Sequence, residues 1–442
     1  MQRTTSNSAL IPCILIVFAV ITCLTPSRAL AQGFGVELQA SLMPASGAMG
    51  GAAAARPQDV QSALAINPAT LTQFHGTNFG FSGAWAEPTI SMNQETAIPL
   101  ANIEPFNSKS QRPGSIVGNI GVTQELNALG LPITTGMGLL TSSGLGVNYR
   151  DQLASNGTTA ELVVIGTAMG AGVQLSDKLS LGGLLAVSTA SMDGVFSGIT
   201  ASTPDYNMRG LFGVTYELSR STTIGGYWHT VQQHTFTDFV RFGGPGNPFM
   251  DVRIQLPRIL GLGVADRSLL DGRLLLAIDF TYFHWSDADF FGSIWDNQWA
   301  VKTGVQYTGH SGLKYRLGYT WAEDASLGVR AEEIGGIDPQ STVDYIQALF
   351  PNINQHRISG GLGIPNVLPN VDVDLFAGGM FRQDVDFGDS TVAVASYWIG
   401  FGATWRFGGC GSGCRKGGGC GDGCCTMPPG TLCCPADTGM PL

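Results

Sequence analysis

The residues best suited to chemistry lie together near the C-terminal end of the chain. Seven of the nine cysteines stand between positions 410 and 434: Cys410, Cys414, Cys420, Cys424, Cys425, Cys433 and Cys434. Their spacings do not match the paired ligands of zinc ribbons, so no metal site is predicted. In an oxidising compartment closely spaced cysteines form disulfides, and an odd number leaves one thiol for another chain. We predict a cross-linked appendage, with a disulfide-linked partner as one option.

The histidines do not indicate a catalytic or metal site. Six are scattered along the chain without metal-ligand spacing: His75, His229, His234, His284, His310 and His356. The sequence also lacks the G-x-S-x-G motif that carries the nucleophile of α/β-hydrolases. We therefore predict that the protein is not an enzyme and holds no cofactor.

The N-terminus is typical of a secretory signal. Arg3 supplies the positive charge, Ala9 to Leu24 form an apolar core, and Ala29-Leu30-Ala31 predicts cleavage before Gln32. A membrane anchor is the alternative, but the apolar core is shorter than the ~20 residues that a spanning helix needs. A lipoprotein start at Cys23 is disfavoured by the threonine before it. Residues 1–31 are predicted to be removed on export.

Composition predicts a membrane barrel rather than a soluble globule. Charged residues make up 13% of the chain and glycine occurs 61 times, whereas soluble domains have about 25% charged residues. No run of about 18 apolar residues follows the signal, so no spanning helix is predicted. Low charge without such a run fits a transmembrane β-barrel, whose strands alternate apolar and polar residues. The net charge of −10, without a basic stripe, argues against nucleic acid as a partner.

Period-two alternation, interrupted by turn residues, recurs from position 76 to position 407. The fourteen predicted strands are 76–91, 113–123, 133–149, 161–175, 178–192, 207–218, 221–235, 251–265, 272–286, 297–308, 312–322, 356–365, 370–383 and 391–407. Long connections alternate with short ones, as in outer-membrane barrels with extracellular loops and periplasmic turns. A soluble β-sandwich would not show this asymmetry. We predict an all-β, 14-stranded antiparallel transmembrane barrel in the bacterial outer membrane.

Residues 32–75 precede the first strand and do not alternate. They are rich in alanine and glycine and nearly free of charge, which disfavours a solvated tail and favours a plug inside the barrel. A short helix is predicted around Pro57 to Ile66, ending at Asn67-Pro68 because the residue before proline avoids the α region. The predicted domains are a signal (1–31), a hatch (32–75), a barrel (76–407) and a Cys/Gly-rich tail (408–442).

Several motifs, taken in order, carry a resemblance to a known family of membrane proteins. The N-terminal segment contributes Gly33-Phe34 and Asn67-Pro68-Ala69. Downstream, LPRILGLGVA with LLLAIDFTYFHWSD, and WAVKTGVQYTGHSGLKYRLGYTWAEDA, resemble two successive parts of the family's barrel. Phe350-Pro351 followed by HRISG resembles a later loop-to-strand signature. Together these motifs resemble the FadL family of outer-membrane transporters for long-chain fatty acids and other hydrophobic compounds, over about residues 33–407.

The resemblance implies roles for residues of the N-terminal segment. Asn67, Pro68 and Ala69 would hold the hatch, and Gly33 and Phe34 would approach the ligand. One departure is that acidic residues often precede the family's Asn-Pro-Ala motif, whereas here Asp59 is the only acidic residue between Leu38 and Ile66.

The resemblance also implies a kinked third strand. Its glycines would permit a bulge, and the candidates are Gly136, Gly138 and Gly144.

Apolar residues of two long loops are candidate ligand contacts. They are Ile98, Leu100 and Phe106 in the first loop and Ile346 and Phe350 in the longest one. PQSTVDYIQALF in the longest loop places apolar residues at helical spacing. Such a face either meets a lipophilic ligand or packs onto the barrel rim, which is the commoner arrangement. Cations in or near the loops are available for a carboxylate ligand, without assignment: Lys109, Arg112, Arg241 and Arg253.

The predicted function is outer-membrane transport of hydrophobic small molecules, of the fatty acid or hydrocarbon class. By resemblance, the steps are loop capture, a lumenal pocket, hatch movement and lateral exit. Expected partners are the cargo, outer-membrane lipid and the barrel-assembly machinery, which reads a terminal aromatic such as Phe407. The alternative is a structural or adhesive barrel whose Cys-rich tail cross-links to partners. The sequence leaves the cargo open.

Overall fold

A computed structural model describes residues 40–193, 202–240, 248–326, 340–352 and 355–407. The predicted signal, Gly33 and Phe34, and the cysteine-rich tail lie outside this part of the chain. None of the helices in the described ranges has both the length and the apolar character that a bilayer crossing requires.

The described residues form strands and a few short helices. In chain order the strands are β1 (Thr77–Gln94), β2 (Phe106–Lys109), β3 (Ser115–Glu125), β4 (Ile133–Asn148), β5 (Thr159–Gln174), β6 (Leu179–Asp193), β7 (Ser202–Glu217), β8 (Thr222–His229), β9 (Gln232–Val240), β10 (Met250–Leu256), β11 (Arg258–Asp266), β12 (Leu274–His284), β13 (Gln298–Thr308), β14 (Lys314–Ala322), β15 (His356–Leu368), β16 (Val371–Phe387) and β17 (Ser390–Phe407). The α-helices are α1 (Pro44–Gly47), α2 (Val60–Ala65) and α3 (Gln340–Leu349).

Fourteen strands close into one antiparallel barrel. The main sheet has 15 strands, of which β2 pairs only with the end of β1. The remaining strands pair in series, and β17 returns to β1 along its whole length, from Thr77↔Phe407 to Gln94↔Ser390. Closure joins the first and last strands of the sheet, so that the barrel has no free terminal edge, as a lipid-spanning sheet requires. The predicted 14-stranded antiparallel barrel is confirmed.

Alternation gives the wall an apolar outer face and a mixed inner face. In β1, Ser82 and Ala84 are buried toward the lumen, whereas Phe81 and Trp85 are exposed on the outside. Aromatic side chains near the strand ends differ in exposure. Trp228, Trp299 and Trp321 are exposed, but Tyr149, Trp285 and Trp398 are buried.

The two ends of the barrel differ in their connections. At one end the turns are short, such as 175–178 and 369–370, and this end faces the periplasm by the rule for outer-membrane barrels. At the other end the connections are long, except between β16 and β17. There only Gly388 and Asp389 join strands of 17 and 18 residues, which are longer than the ~9–11 residues a spanning strand needs. This hairpin therefore projects beyond the membrane.

Two predicted strands, 221–235 and 251–265, are each divided in the structure. The first becomes β8 and β9, and the second becomes β10 and β11, with a break at Pro257. Proline cannot donate a ladder hydrogen bond, and β9 and β10 pair only with each other. They form a hairpin outside the main sheet. The buried positions change phase at both breaks, from 229 to 232 and from 256 to 259.

Candidate transport site

The hatch, described here from residue 40 to residue 75, is held together by one carboxylate. Asp59 caps α2, its Oδ1 accepting a hydrogen bond from the Ser62 N–H at 2.7 Å. Its Oδ2 accepts from the N–H groups of Ala45 and Ser46 at 3.0 and 2.8 Å. A buried carboxylate with several N–H donors fixes the segments that supply them. Asp59 therefore joins α1 to α2.

Asn67 stops α2 and links the hatch to the barrel wall. Its Oδ1 accepts from the Ala69 N–H at 3.1 Å, and its Nδ2 donates to the Ala54 carbonyl at 2.6 Å and to the Val214 carbonyl of β7 at 3.2 Å. Pro68 begins a 3₁₀ turn, and Asn67, Pro68 and Ala69 are all buried. These contacts suit residues that hold the hatch, and their part in transport stays a prediction.

A second carboxylate fastens the hatch from the wall side. Asp279 of β12 points into the lumen, and its Oδ2 accepts from the N–H groups of Ala53 and Ala54 at 2.6 and 2.8 Å. His229 of β8 adds a contact, with its Nε2 2.8 Å from the Ile66 carbonyl oxygen. The hatch is thus bonded to β7, β8 and β12.

Glycines on the inner face let the hatch backbone approach the wall. Gly50 donates to Ser359 Oγ of β15 at 3.1 Å, and its carbonyl accepts from Thr320 Oγ1 of β14 at 2.7 Å. A Cβ on Gly318 would collide with the Gly50 nitrogen. Close packing against the hatch therefore explains the glycine at position 318, because a side chain there would displace the Gly50 backbone.

The predicted kink glycines of β4 have two different settings. A Cβ on Gly136 or on Gly138 would lie 2.8 Å from the Leu64 side chain, so both glycines make room for the hatch. Gly144 lies opposite Val163 of β5. A bulge lies between these positions, at Ser142, where the β4–β5 register shifts between Thr141 and Ser143.

The wall is interrupted beside this bulge. The pairing of β3 with β4 ends at Ile120↔Leu139, although both strands continue beyond it. Above that point Asn119 Oδ1 accepts from the Thr141 N–H at 2.9 Å, and Thr141 Oγ1 donates to the Gly118 carbonyl at 3.2 Å. Side chains replace the backbone ladder here.

Residues of the first loop bound the far side of the interruption. The Gln111 N–H donates to the Asn148 carbonyl at 2.8 Å, and the Asn148 N–H donates to Ser110 Oγ at 3.0 Å. Arg112 forms a buried ion pair with Glu161 of β5. The interruption is therefore a local window between Asn119 and the first loop.

A small cavity of about 20 Å³ lies above the hatch, with room for about one water molecule. It reaches from α2 to the bulge, and its lining is largely apolar: Ala65, Leu140, Ser142, Gly166, Ala168, Ala186, Arg209, Leu211 and His229. The cavity connects the floor formed by the hatch with the edge of the interrupted wall.

Arg209 brings a positive charge to this apolar cavity. Its side chain is 7% exposed. Nη2 donates to the Pro257 carbonyl at 3.2 Å, and Nε has no hydrogen-bond partner within the described residues. An unpaired buried charge is costly, so an anionic group is the natural complement. The sequence analysis did not include Arg209 among the candidate cations. Its position in a largely apolar strand, at a residue whose side chain alternates toward the lumen, could have indicated it.

The apolar loop candidates lie in the loop cap, made of the described parts of 95–114, 149–158, 285–297 and 340–352, and this cap is continuous with the hydrophobic core of the barrel and the hatch. Ile98, Phe106, Ile346 and Phe350 are buried in it. The Phe106 ring lies 5.6 Å from that of Tyr149. The apolar face of α3 thus packs inward, the commoner of the two arrangements. Contact of these residues with ligand stays a prediction, and the Leu100 side chain is outside the described part.

Comparison with known proteins gives no sequence match: no protein-family model and no curated protein matches the chain significantly. Solved structures do match. The toluene transporter TodX of Pseudomonas putida has a TM-score of 0.61 at 16% identity, over 85% of this chain and 99% of its own. A Pseudomonas aeruginosa FadL homologue scores 0.59 at 13% identity, over 86% and 99%.

The fold is that of the FadL-type channels. A third structure, the toluene transporter TbuX of Ralstonia pickettii, scores 0.58 at 16% identity, over 85% of this chain and 99% of its own. The FadL-type architecture inferred from the sequence motifs is confirmed at the level of fold. With its closed wall and apolar outer face, the chain is an integral outer-membrane barrel.

Proposed function

We propose that this FadL-type barrel moves hydrophobic small molecules across the outer membrane. The observation that carries the proposal is the apolar cavity between the hatch and the interrupted wall. A hydrophobic solute gains about 0.8 kcal/mol for each CH₂ group removed from water, so it binds to apolar walls rather than to a watery pore. Structural likeness to toluene transporters and to a FadL homologue supports the same cargo class.

The proposed route begins at the loop cap, passes through the cavity and leaves sideways. Leu140 and Ser142 line the cavity on β4, next to the point where β3 and β4 separate. A cargo leaving there enters the lipid directly and does not cross the aqueous lumen below the hatch. The side-chain bonds of Asn119 would have to open.

Cargo also requires the hatch to move, because the cavity holds about one water molecule as it stands. Ala65 of α2 forms part of its floor. The hatch is fastened by a limited set of hydrogen bonds, each with a net worth of about 0.5–1.5 kcal/mol and more for those to Asp279. A bound ligand can offset a cost of this size.

Of the two cargo classes, Arg209 favours the one with an anionic head group. A carboxylate would pair with the buried guanidinium while its chain occupies the apolar lining. The Arg209→Met variant should therefore take up less radiolabelled oleate, while its uptake of radiolabelled toluene should be nearly unchanged. Equal loss of both would contradict the assigned head-group role.

The test of transport itself uses two neighbouring residues of β5. Ala168 faces the cavity, whereas Met169 is 48% exposed on the outside. Cells that lack their own transporter and express Ala168→Trp should take up no more oleate than an empty-vector control. Met169→Trp should behave as the unmodified chain.

Heat-modifiable migration on gels would verify that both variants fold, and Ala186→Trp gives a second obstruction from β6. Unchanged uptake by folded Ala168→Trp and Ala186→Trp, or equal uptake by the empty control, would reject the transport proposal.

A further inference from the structure

A larger cavity lies at the periplasmic mouth, between the hatch and the turn that joins β11 to β12. Its volume is about 290 Å³. The hatch contributes Arg56, Gln58 and Gln73 to its lining, and the barrel contributes Arg267, Arg273 and Gln306. The lining includes no carboxylate. Because the chain has only 23 lysines and arginines in 442 residues, three guanidinium groups around one cavity are a concentrated charge.

Arg56 is the member of this group that belongs to the hatch. Its Nε is buried and has no hydrogen-bond partner among the described residues. Burial lowers the pKa of Arg56, the positive charge of Arg267 lowers it further, and Glu217 opposes the shift. The two guanidinium groups therefore repel each other across the boundary between hatch and wall.

Arg273 is held in place by contacts other than a carboxylate. Its Nε donates to the Leu270 carbonyl at 3.2 Å, and its Nη1 lies 3.0 Å from the His310 ring nitrogen Nε2. Within the described residues, none of the three arginines of this cavity has a carboxylate oxygen within 4.0 Å. Arg273 is therefore held in place without a paired carboxylate, and none of the three charges forms an ion pair among the described residues.

We propose that this cavity binds a phosphate-class oxyanion that bridges the hatch and the barrel rim. A guanidinium group binds two oxygens of such an anion side by side, and several arginines around one cavity suit a polyvalent anion. The bound anion replaces the repulsion between Arg56 and Arg267 with attraction to a shared partner. It thereby strengthens the attachment of the hatch at the periplasmic mouth. This site is separate from the apolar cavity and does not depend on the identity of the cargo.

Binding is tested on the purified full chain in detergent, with inorganic phosphate titrated at constant ionic strength and followed by calorimetry. Loss of one charge-assisted contact weakens binding by about tenfold or more, so Arg56→Gln and Arg267→Gln should each show that loss. Arg220→Gln is the matched control, because Arg220 is an exposed arginine of the neighbouring periplasmic turn and does not line the cavity.

Hydrogen–deuterium exchange of the hatch gives the second readout. Phosphate should slow exchange of amides 56–73 in the unmodified chain and in Arg220→Gln, but not in Arg56→Gln. The Arg267→Gln variant leaves the hatch sequence intact, so it decides the matter if Arg56→Gln fails to fold. Phosphate binding that is absent, or equal in all folded variants, would overturn the proposal.

A last comparison identifies the source of the anion. In phosphatidylglycerol nanodiscs without free phosphate, slowed hatch exchange that is lost in Arg267→Gln would assign the site to a lipid head group. Slowed exchange only after phosphate is added would assign it to the free anion. No slowing under either condition would refute the bridge. Because no cargo is present, these outcomes are independent of the transport proposal.

Discussion

The hatch and the loop cap lie toward opposite ends of the same barrel, yet different interactions hold them. The hatch is fastened by directional hydrogen bonds, above all those of Asp59 and Asp279. The loop cap is held by aromatic packing, in which Phe291 stacks on Trp295 with ring centroids 4.2 Å apart and Trp285 meets Trp295 edge-on at 4.6 Å. Hydrogen bonds among small residues hold the hatch, whereas packing of large apolar side chains holds the loop cap.

This difference has a consequence for movement. Hydrogen bonds between hatch and wall can be exchanged for bonds to water at a net cost of about 0.5–1.5 kcal/mol each. Opening the loop cap exposes large apolar side chains, each costing about 1.5–3 kcal/mol. In the proposed transport, a hydrophobic cargo would cover those side chains as it enters, but it would not replace the hydrogen bonds of the hatch. Under that proposal the cap responds to cargo, and the hatch is released by the loss of a few bonds.

The largest expected effect is in the loop cap. Trp295→Ala removes a fully buried indole and its Nε1 hydrogen bond to the Phe350 carbonyl, which should destabilise the cap by about 3–5 kcal/mol. Limited proteolysis of the extracellular loops would detect it. Trp299→Ala is the control, because Trp299 is 49% exposed on the outer face. Equal cleavage of the two variants would show that the cap does not depend on aromatic packing.

The next effect concerns the strongest hatch anchor. Asp279→Ala leaves the Ala53 and Ala54 N–H groups without their acceptor, which should loosen the hatch by about 2–3 kcal/mol. Exchange of these two amides should accelerate, while the exposed Asp271→Ala variant should not change it. A hatch as protected in Asp279→Ala as in the unmodified chain would contradict the polar-anchor description.

A smaller effect is expected when a side chain is added to the wall where the hatch packs against it, a place called here the seat of the hatch. Gly318→Ala places a methyl group against the Gly50 backbone, and overpacking of this kind costs about 1–3 kcal/mol. Increased leakage of a small hydrophilic dye into liposomes would report a displaced hatch. At Gly83 a Cβ would find its nearest neighbour at 3.6 Å, so Gly83→Ala should be silent. Leakage from both variants alike would mean that the barrel, not the seat, is disturbed.

The smallest effect is at the interrupted wall. Asn119→Ala removes the acceptor of the Thr141 N–H, a bond worth about 1 kcal/mol, so the Thr141 amide should exchange about fivefold faster. The Leu139 region, still paired with Ile120, serves as the internal control. Unchanged exchange at Thr141 would indicate that Asn119 does not clasp the two strands.

Local patterns were sufficient for much of this architecture. Period-two alternation and turn residues predicted the strands of the barrel and their number. Asn67-Pro68 predicted the end of α2, which the structure places at Ala65. These features depend on neighbours in the chain, because the side-chain direction in a strand and the backbone restriction before proline are both local.

Other features depend on which distant residues meet. The sequence singled out Asp59 as a departure from the family pattern, but not the contacts that let it join α1 to α2. The sequence also did not indicate that Arg209 reaches an apolar cavity. Nor did it indicate that Arg56 lines a basic cavity or that Asp279 binds the hatch backbone. The bulge at Ser142 and the breaks beside β9 and β10 also depend on contacts between distant residues, and the sequence analysis predicted a single strand across each of them.

The sequence by itself thus determined a 14-stranded wall, its apolar outside and a compact segment ahead of it. Only the tertiary structure decided where the wall separates, which strands anchor the hatch and which charges are left without a partner. The physical reason is that alternation specifies which face of the wall each side chain occupies, but not which residue it contacts across the lumen. Those contacts are determined by barrel closure and by the place where the hatch packs against the wall.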